Sequence, residues 1–173
     1  MGKLIRIMNE QLRLLESYEI FTNTAGDDFW GDIGGGVLAI SKSSGRILMA
    51  LRSAYVNEPN TWGVVGGALD DPNEDMMETV KREFEEETGY RKQLKLFPAY
   101  VFKTPTGSFE YHNFIGLVNE EFVPKKDWET ELFQWMSFDE MMKLKPKHHF
   151  GLTGLLKDSK SLNIIKKLHQ KYR

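Results

Sequence analysis

The densest chemistry in this chain is a run of acids, Arg82-Glu83-Phe84-Glu85-Glu86-Glu87-Thr88-Gly89, at the end of what reads as a helix. At about 100° per residue, Met76, Met77, Val80 and Phe84 form an apolar stripe. Glu83 and Glu87 border or overlap that stripe, Glu86 lies about 60° from Glu83 on the other side, and Glu85 points to solvent. Carboxylates in a last helical turn oppose the helix dipole by about 0.3–1 kcal/mol each. Like charges at i+3 and i+4 add about 0.2–0.5 kcal/mol per pair, and partial burial adds desolvation unless the charges are paired. The sum is a few kcal/mol, against a domain stability of roughly 5–15 kcal/mol. A local rule broken in this way marks a functional site. The natural compensation is a hard divalent cation, Mg²⁺ or Mn²⁺, which takes oxygen ligands. The plainer reading is a solvated acidic helix end; two acids on the wrong face for water weigh against it. Arg82 stands beside Glu78 and Glu86, either as a surface salt bridge or as the group that holds Glu86 in a ligand rotamer.

Gly66 and Gly67 close a strand directly upstream. Glycine allows close backbone approach, so a carbonyl here can add a neutral ligand or the backbone can approach a phosphate; a plain tight turn is the alternative. Phe102, Tyr111, His112 and Phe150 are candidates to stack on a base, with core packing as the competing fate. The four histidines have no ligand-like spacing and read as ordinary surface or stacking residues.

Several elements must position these groups. Asp71 as N-cap, Pro72 at the first helical position and Glu74 predict a helix from about Pro72 to Thr88, ended by Gly89. Before it, GGGVLAIS (34–41) and RILMALRSA (46–54) read as a hairpin around SKSSG, and TWGVVGGAL (61–69) as one strand. After it come a hairpin turning at Pro105-Thr106-Gly107, a strand at 132–138, a helix started by Ser137 with Glu140, and a helical end. Residues 9–19 read as a short amphipathic helix, a candidate dimer arm or lid. Interleaved strands and helices give α/β or α+β.

Composition bounds the rest. The 173 residues suit one domain. Without a cysteine, disulfides, thiolate metal sites and a cysteine nucleophile are excluded. Formal net charge is −2, which carries no polyanion-binding signature, so nucleic acid is not favoured as a partner. No apolar run reaches the roughly 20 residues of a membrane span. The first residues lack a signal-peptide core, and Arg6 breaks the myristoylation pattern; a reducing, cytoplasmic setting is expected. Lys157–Arg173 holds six basic residues against one acid. Complementing a helix dipole is the favoured reading there, and an RNA or polyphosphate contact the other.

Glu74, seven residues, then Arg82-Glu83-Phe84-Glu85-Glu86-Glu87-Thr88-Gly89-Tyr90 resembles the signature of the Nudix (MutT-like) hydrolase family. The pattern's leading glycine corresponds to Gly67. Six residues separate Gly67 from Glu74 where the pattern has five, an insertion in the loop that leaves the helix carboxylates in register. The resemblance extends over roughly residues 29–155. It implies an α/β/α sandwich around a mixed β-sheet. The chain is then expected to divide into an N-terminal helical extension at 1–28, the Nudix hydrolase domain at 29–158 and a basic helical tail at 159–173. It implies Mg²⁺- or Mn²⁺-dependent hydrolysis of a small nucleoside diphosphate derivative by water attack at phosphorus. It assigns Glu83, Glu86 and Glu87 as metal ligands with the Gly66 carbonyl, and Arg82 as the residue that orients a glutamate. Glu129, with Glu131 as fallback, takes the place of a further catalytic and metal-binding glutamate before the Trp135 strand, and Arg52 that of a phosphate contact. Gly67 and Tyr111 complete the substrate-binding candidates. Pro105, sixteen positions beyond Gly89, favours ADP-ribose or a nucleotide sugar. The rivals are a non-catalytic nucleotide-binding or regulatory module on the same fold, and an RNA-cap or dinucleoside polyphosphate hydrolase.

Overall fold

The structure, a computed structural model, describes residues 33–71, 73–103 and 109–173. Strand β1 (Ile33–Ser41) organises it, because its side chains alternate between two apolar layers. Leu38 and Ile40 enter one layer with Ile47, Met49, Leu152, Leu155 and Ile165. Val37 and Ala39 enter the other with Leu48, Val65, Val80, Phe84 and Trp135.

β1 pairs in parallel with β6 (Glu110–Val118) along its whole length. On its other edge it pairs antiparallel with β4 (Val65–Ala68) through Gly34–Val37 and with β2 (Ile47–Arg52) at Ile40. β3 (Trp62–Gly63) and β7 (Thr130–Met136) pair with β2, and β5 (Lys95–Lys103) with β6, all antiparallel. Among the described residues the result is a mixed seven-stranded sheet. Helix α1 (Met76–Thr88) covers one face; α2 (Phe138–Lys143), α3 (Phe150–Lys157) and α4 (Ser159–Tyr172) cover the other. This is the α/β/α sandwich expected.

Three expectations need correction. Thr61–Leu69 is not one strand: the chain changes partner at Val64, leaving β3 on β2 and β4 on β1. The strand expected at 132–138 ends at Met136, because Ser137 caps α2 in a reciprocal capping box with Glu140. Helix α1 starts at Met76, not near Pro72. Asp75 is its N-cap, with Oδ1 accepting from Met77 N at 2.9 Å and Glu78 N at 3.4 Å. Asp71 closes a turn instead, accepting from Asn73 N at 2.8 Å and, through its carbonyl, from Glu74 N at 2.9 Å. Aspartate followed three residues later by glutamate occurs twice here, and the second copy is adjacent to the apolar stripe. The helix ends as expected on Gly89, at φ 72°. The 9–19 helix, Pro72 and the Pro105 turn lie outside the described residues. Among those described, no helix is long and apolar enough to cross a membrane.

Phe84 anchors α1. It is 1% exposed and meets Tyr90 and Phe122 edge-on at ring-centroid distances of 5.8 and 6.1 Å. Phe84→Ala is expected to cost about 3–5 kcal/mol in a denaturant titration; a loss below about 1 kcal/mol would show that α1 is not held through this ring. At the other end of the chain, α4 buries Ile165, and His169 Nδ1 lies 2.8 Å from the Gly45 carbonyl oxygen. Gly45 sits at φ 68°, and a Cβ there would come within 2.5 Å of the His169 carbonyl.

Candidate active site

Glu83, Glu86 and Glu87 of α1 line one cavity of about 520 Å³ together with Gly66, Gly67, Asp70, Arg52, Asp127 and Glu129. The helix phase sets Glu83 deeper than Glu85, while Glu86 lies at the exposed edge. Glu83 keeps 16% of its side chain exposed, Glu86 60% and the outward Glu85 50%. Glu83 has room because Gly67 faces it without a side chain: a Cβ on Gly67 would lie 2.5 Å from Glu83 Oε2. Glu129 arrives from the segment before β7. It is held there by Ser53 N donating to its carbonyl at 2.8 Å and by its own N–H donating to Asp127 Oδ1 at 3.0 Å.

Arg82 ties the acids together. Its Nη1 is 2.7 Å from Glu83 Oε1 and 3.4 Å from Glu86 Oε2, its Nη2 is 3.0 Å from Asp70 Oδ2, and its Nε is 3.5 Å from Glu74 Oε1. Glu78, expected beside Arg82, pairs with Lys81 at 2.7 Å instead. Arg52 ends β2 and donates from Nε to the Asn57 carbonyl at 2.9 Å.

The electrostatics are strained. Burial, then Asp127, Glu129 and Glu83, push the Glu87 carboxyl well above the ordinary range, and Arg52 opposes them. Burial raises Glu83 against the pull of Arg82. Burial and Asp127 raise Glu129 against Arg52. Burial lowers Arg52, and Tyr111, Glu58, Glu129 and Glu87 oppose that shift. Among the described residues, no three His, Asp or Glu side chains converge closely enough to grip one ion; the acids surround the cavity, with Glu83 and Glu86 drawn toward Arg82. The donor set is nonetheless all oxygen, crowded and partly dehydrated, which suits a hard divalent cation. Perturbed acids of this kind concentrate where chemistry is done.

A family model, the NUDIX domain, matches residues 33–158. The chain belongs to the Nudix family. A curated relative, the CMP-5'-(N-acetyl-N-hydroxy-3-aminopropyl)phosphonate hydrolase of Streptomyces rubellomurinus, is 30% identical over 114 residues, which is 64% of this chain and 54% of the relative. The chain thus matches about half the length of that protein. The Nudix hydrolase RenU of M. smegmatis shares the fold with a TM-score of 0.66 at 20% identity, covering 79% of this chain and 88% of that one. An Ap4A hydrolase of C. elegans does so with a TM-score of 0.59 at 18% identity, over 76% and 98%.

Within this Nudix domain the aromatic candidates Phe102, Tyr111, His112 and Phe150 are not among the cavity lining. Tyr111 is 4% exposed, lies outside the cavity lining, and packs against Phe109 and Phe150 at 6.4 and 5.8 Å. Strand alternation turns its ring into this cluster. Phe102 joins the same cluster 5.7 Å from Phe150, and His112 sits 3.2 Å from Glu110. Glu131, the fallback for Glu129, is exposed and outside the lining. His148, His149 and His169 are buried, not on the surface, and face different partners: the Met141 carbonyl, Glu58 and the Gly45 carbonyl. Seven lining residues escaped the sequence reading, among them Asp70, Asp127, Tyr55 and Trp128. Asp127 carries a signal in hindsight, since an aspartate preceding Glu129 and Thr130 can accept from both backbone N–H groups, and it does so at 3.0 and 3.1 Å.

Proposed function

We propose that this chain hydrolyses the diphosphate bond of a nucleoside diphosphate joined to a second group, ADP-ribose or a nucleotide sugar, with Mg²⁺ or Mn²⁺ and in the cytoplasm. The observation that carries the reading is the meeting of Glu83, Glu86 and Glu87 from one helix with Glu129 from a distant segment around a single cavity that Arg52 also enters. A module that only bound nucleotides would gain nothing from four mutually repelling acids facing a diphosphate. The curated relative, named as a hydrolase of a CMP-linked phosphonate, supports a nucleotide joined to another group.

Glu83, Glu86 and Glu87, with the Gly66 carbonyl and Glu129, would hold the cation. When bound, it neutralises charge on the phosphoryl oxygens and acidifies water. Arg82 keeps Glu83 and Glu86 oriented. Arg52 contacts a phosphoryl oxygen and balances charge as the bridging bond breaks. Glu129 or Glu87 accepts the proton of the attacking water. Water adds its oxygen to one phosphorus, the P–O–P bridge breaks, and two phosphate monoesters leave.

A screen of ADP-ribose, nucleotide sugars, dinucleoside polyphosphates, capped RNA and nucleoside triphosphates tests the reading. Monoester release is expected from the first two classes with Mg²⁺. It should fall on the order of 10²–10³-fold with EDTA, matching several kcal/mol of electrostatic stabilisation. Metal-independent turnover, or none with any substrate, would overturn it.

A further inference from the structure

Few large apolar side chains are strongly exposed among the described residues, yet Tyr55 at 86% and Trp128 at 63% are, and both line the same acidic cavity. Their chain positions bring them to one rim. The β2–β7 ladder ends at Arg52 opposite Thr130, and Ser53 N donates to the Glu129 carbonyl at 2.8 Å just beyond it. Tyr55 lies two residues past Ser53, and Trp128 one residue before Glu129. Each is held by a local turn. Tyr55 N donates to Ser53 Oγ at 3.3 Å, while Asp127 Oδ1 takes the N–H groups of Glu129 and Thr130 on the far side of Trp128.

Leaving a tyrosine and a tryptophan in water forfeits the burial that such rings ordinarily gain. Apolar surface rimmed by polar groups marks a binding site. The carboxylates of this cavity offer no apolar or aromatic surface to a ring face; Tyr55 and Trp128 do. Every nucleobase has a π-face, and aromatic side chains bind that face.

We infer that Tyr55 and Trp128 form an aromatic seat for the nucleobase of the substrate, and so restrict it to nucleoside diphosphate derivatives over sugar or alkyl diphosphates with the same cleavable bond. This rests on the proposed hydrolase reading. The seat binds through stacking, with Asn57 as the neighbouring polar side chain on the rim.

The test compares ADP-ribose with P1,P2-dimethyl diphosphate, a base-free diester, in the wild type and in Trp128→Ala, Trp128→Phe, Tyr55→Ala and Tyr55→Phe. Either alanine variant should lower the preference for ADP-ribose by roughly 5- to 150-fold, the equivalent of one base–aromatic stack. The loss should appear in KM, and the phenylalanine variants should recover most of it. A preference unchanged within about twofold in both alanine variants, at retained turnover, overturns the seat and leaves the hydrolase reading standing. Calorimetry of AMP binding separates the two ideas. A wild type that cleaves no substrate of the screen above, yet binds AMP in a Trp128-dependent way, overturns the hydrolase reading and supports the seat; AMP binding indifferent to Trp128 and Tyr55 overturns the seat.

Discussion

Glu87→Gln is expected to reduce turnover by about 10²- to 10⁴-fold, the loss typical of a carboxylate that handles a proton at the reacting centre, while making the metal-free protein more stable near neutral pH. The two effects share one cause. Burial and the neighbouring Asp127, Glu129 and Glu83 oppose the ionised form of Glu87. Its carboxyl therefore holds a proton more tightly in the folded chain than in the unfolded one. Below the unfolded value near 4.5 both states are protonated and nothing is lost. As pH rises from there through the raised folded value, stability drains away in the wild type. Glutamine keeps the shape without the charge, so the E87Q protein escapes that loss above the unfolded value and gains nothing in acid. Divalent ion should reverse the ranking, because a ligand that binds only the folded state stabilises the better binder more. Melting curves at two pH values, with EDTA and with Mg²⁺, check this beside the rate assay. A variant of near-wild-type turnover would remove Glu87 from the chemistry, and one less stable in EDTA at neutral pH would overturn the charge repulsion argued for it.

The second large effect separates two adjacent glycines of β4. On Gly66 a methyl group would overlap the Gly35 carbonyl oxygen and the Gly36 Cα, both backbone atoms of the paired strand. Backbone held in a ladder cannot yield, so Gly66→Ala must part β4 from β1. The expected loss is on the order of 3 kcal/mol or more, a large share of a typical domain's stability. On Gly67 the obstructing atoms are Glu83 Oε2 and Cδ, at 2.5 and 2.6 Å, the free end of a flexible side chain. Gly67→Ala should therefore fold nearly as well as wild type. By swinging Glu83 out of place it should lose about 10- to 100-fold in activity or metal affinity, the range seen when a ligand's support is removed. Paired thermal melts and rate measurements decide the matter: a stable G66A protein, or a G67A protein that loses stability and keeps its rate, would invert the assignment.

The sheet with its two apolar layers and the acid-bearing helix were legible because both are written in local periodicity. Val80 and Phe84 fix the phase of α1, and that phase alone sets Glu83 deeper than Glu85. The helix start was misread because Asp71 and Asp75 offer the same capping pattern, and propensity cannot choose between two equal caps. The split at Val64 was hidden because β3 and β4 read as one apolar run, while pairing depends on which edges of β1 and β2 lie nearby. The rim aromatics were missed for a related reason. Tyr111 and Phe102 stand in alternating strands, where the ring-bearing face goes to the core. Tyr55 and Trp128 stand in turn-rich polar stretches with no period, and only the tertiary meeting of those stretches shows what they face.

The Ser53–Glu129 hydrogen bond has a consequence for how such a protein can diversify. It bolts the segment carrying Tyr55 to the one carrying Trp128 and the catalytic candidate Glu129. Lengthening either segment would drag that glutamate with it. New molecular preferences are therefore open to this lineage by exchanging one ring for another at constant loop length, while insertions at this rim would disable the enzyme before they could retune it.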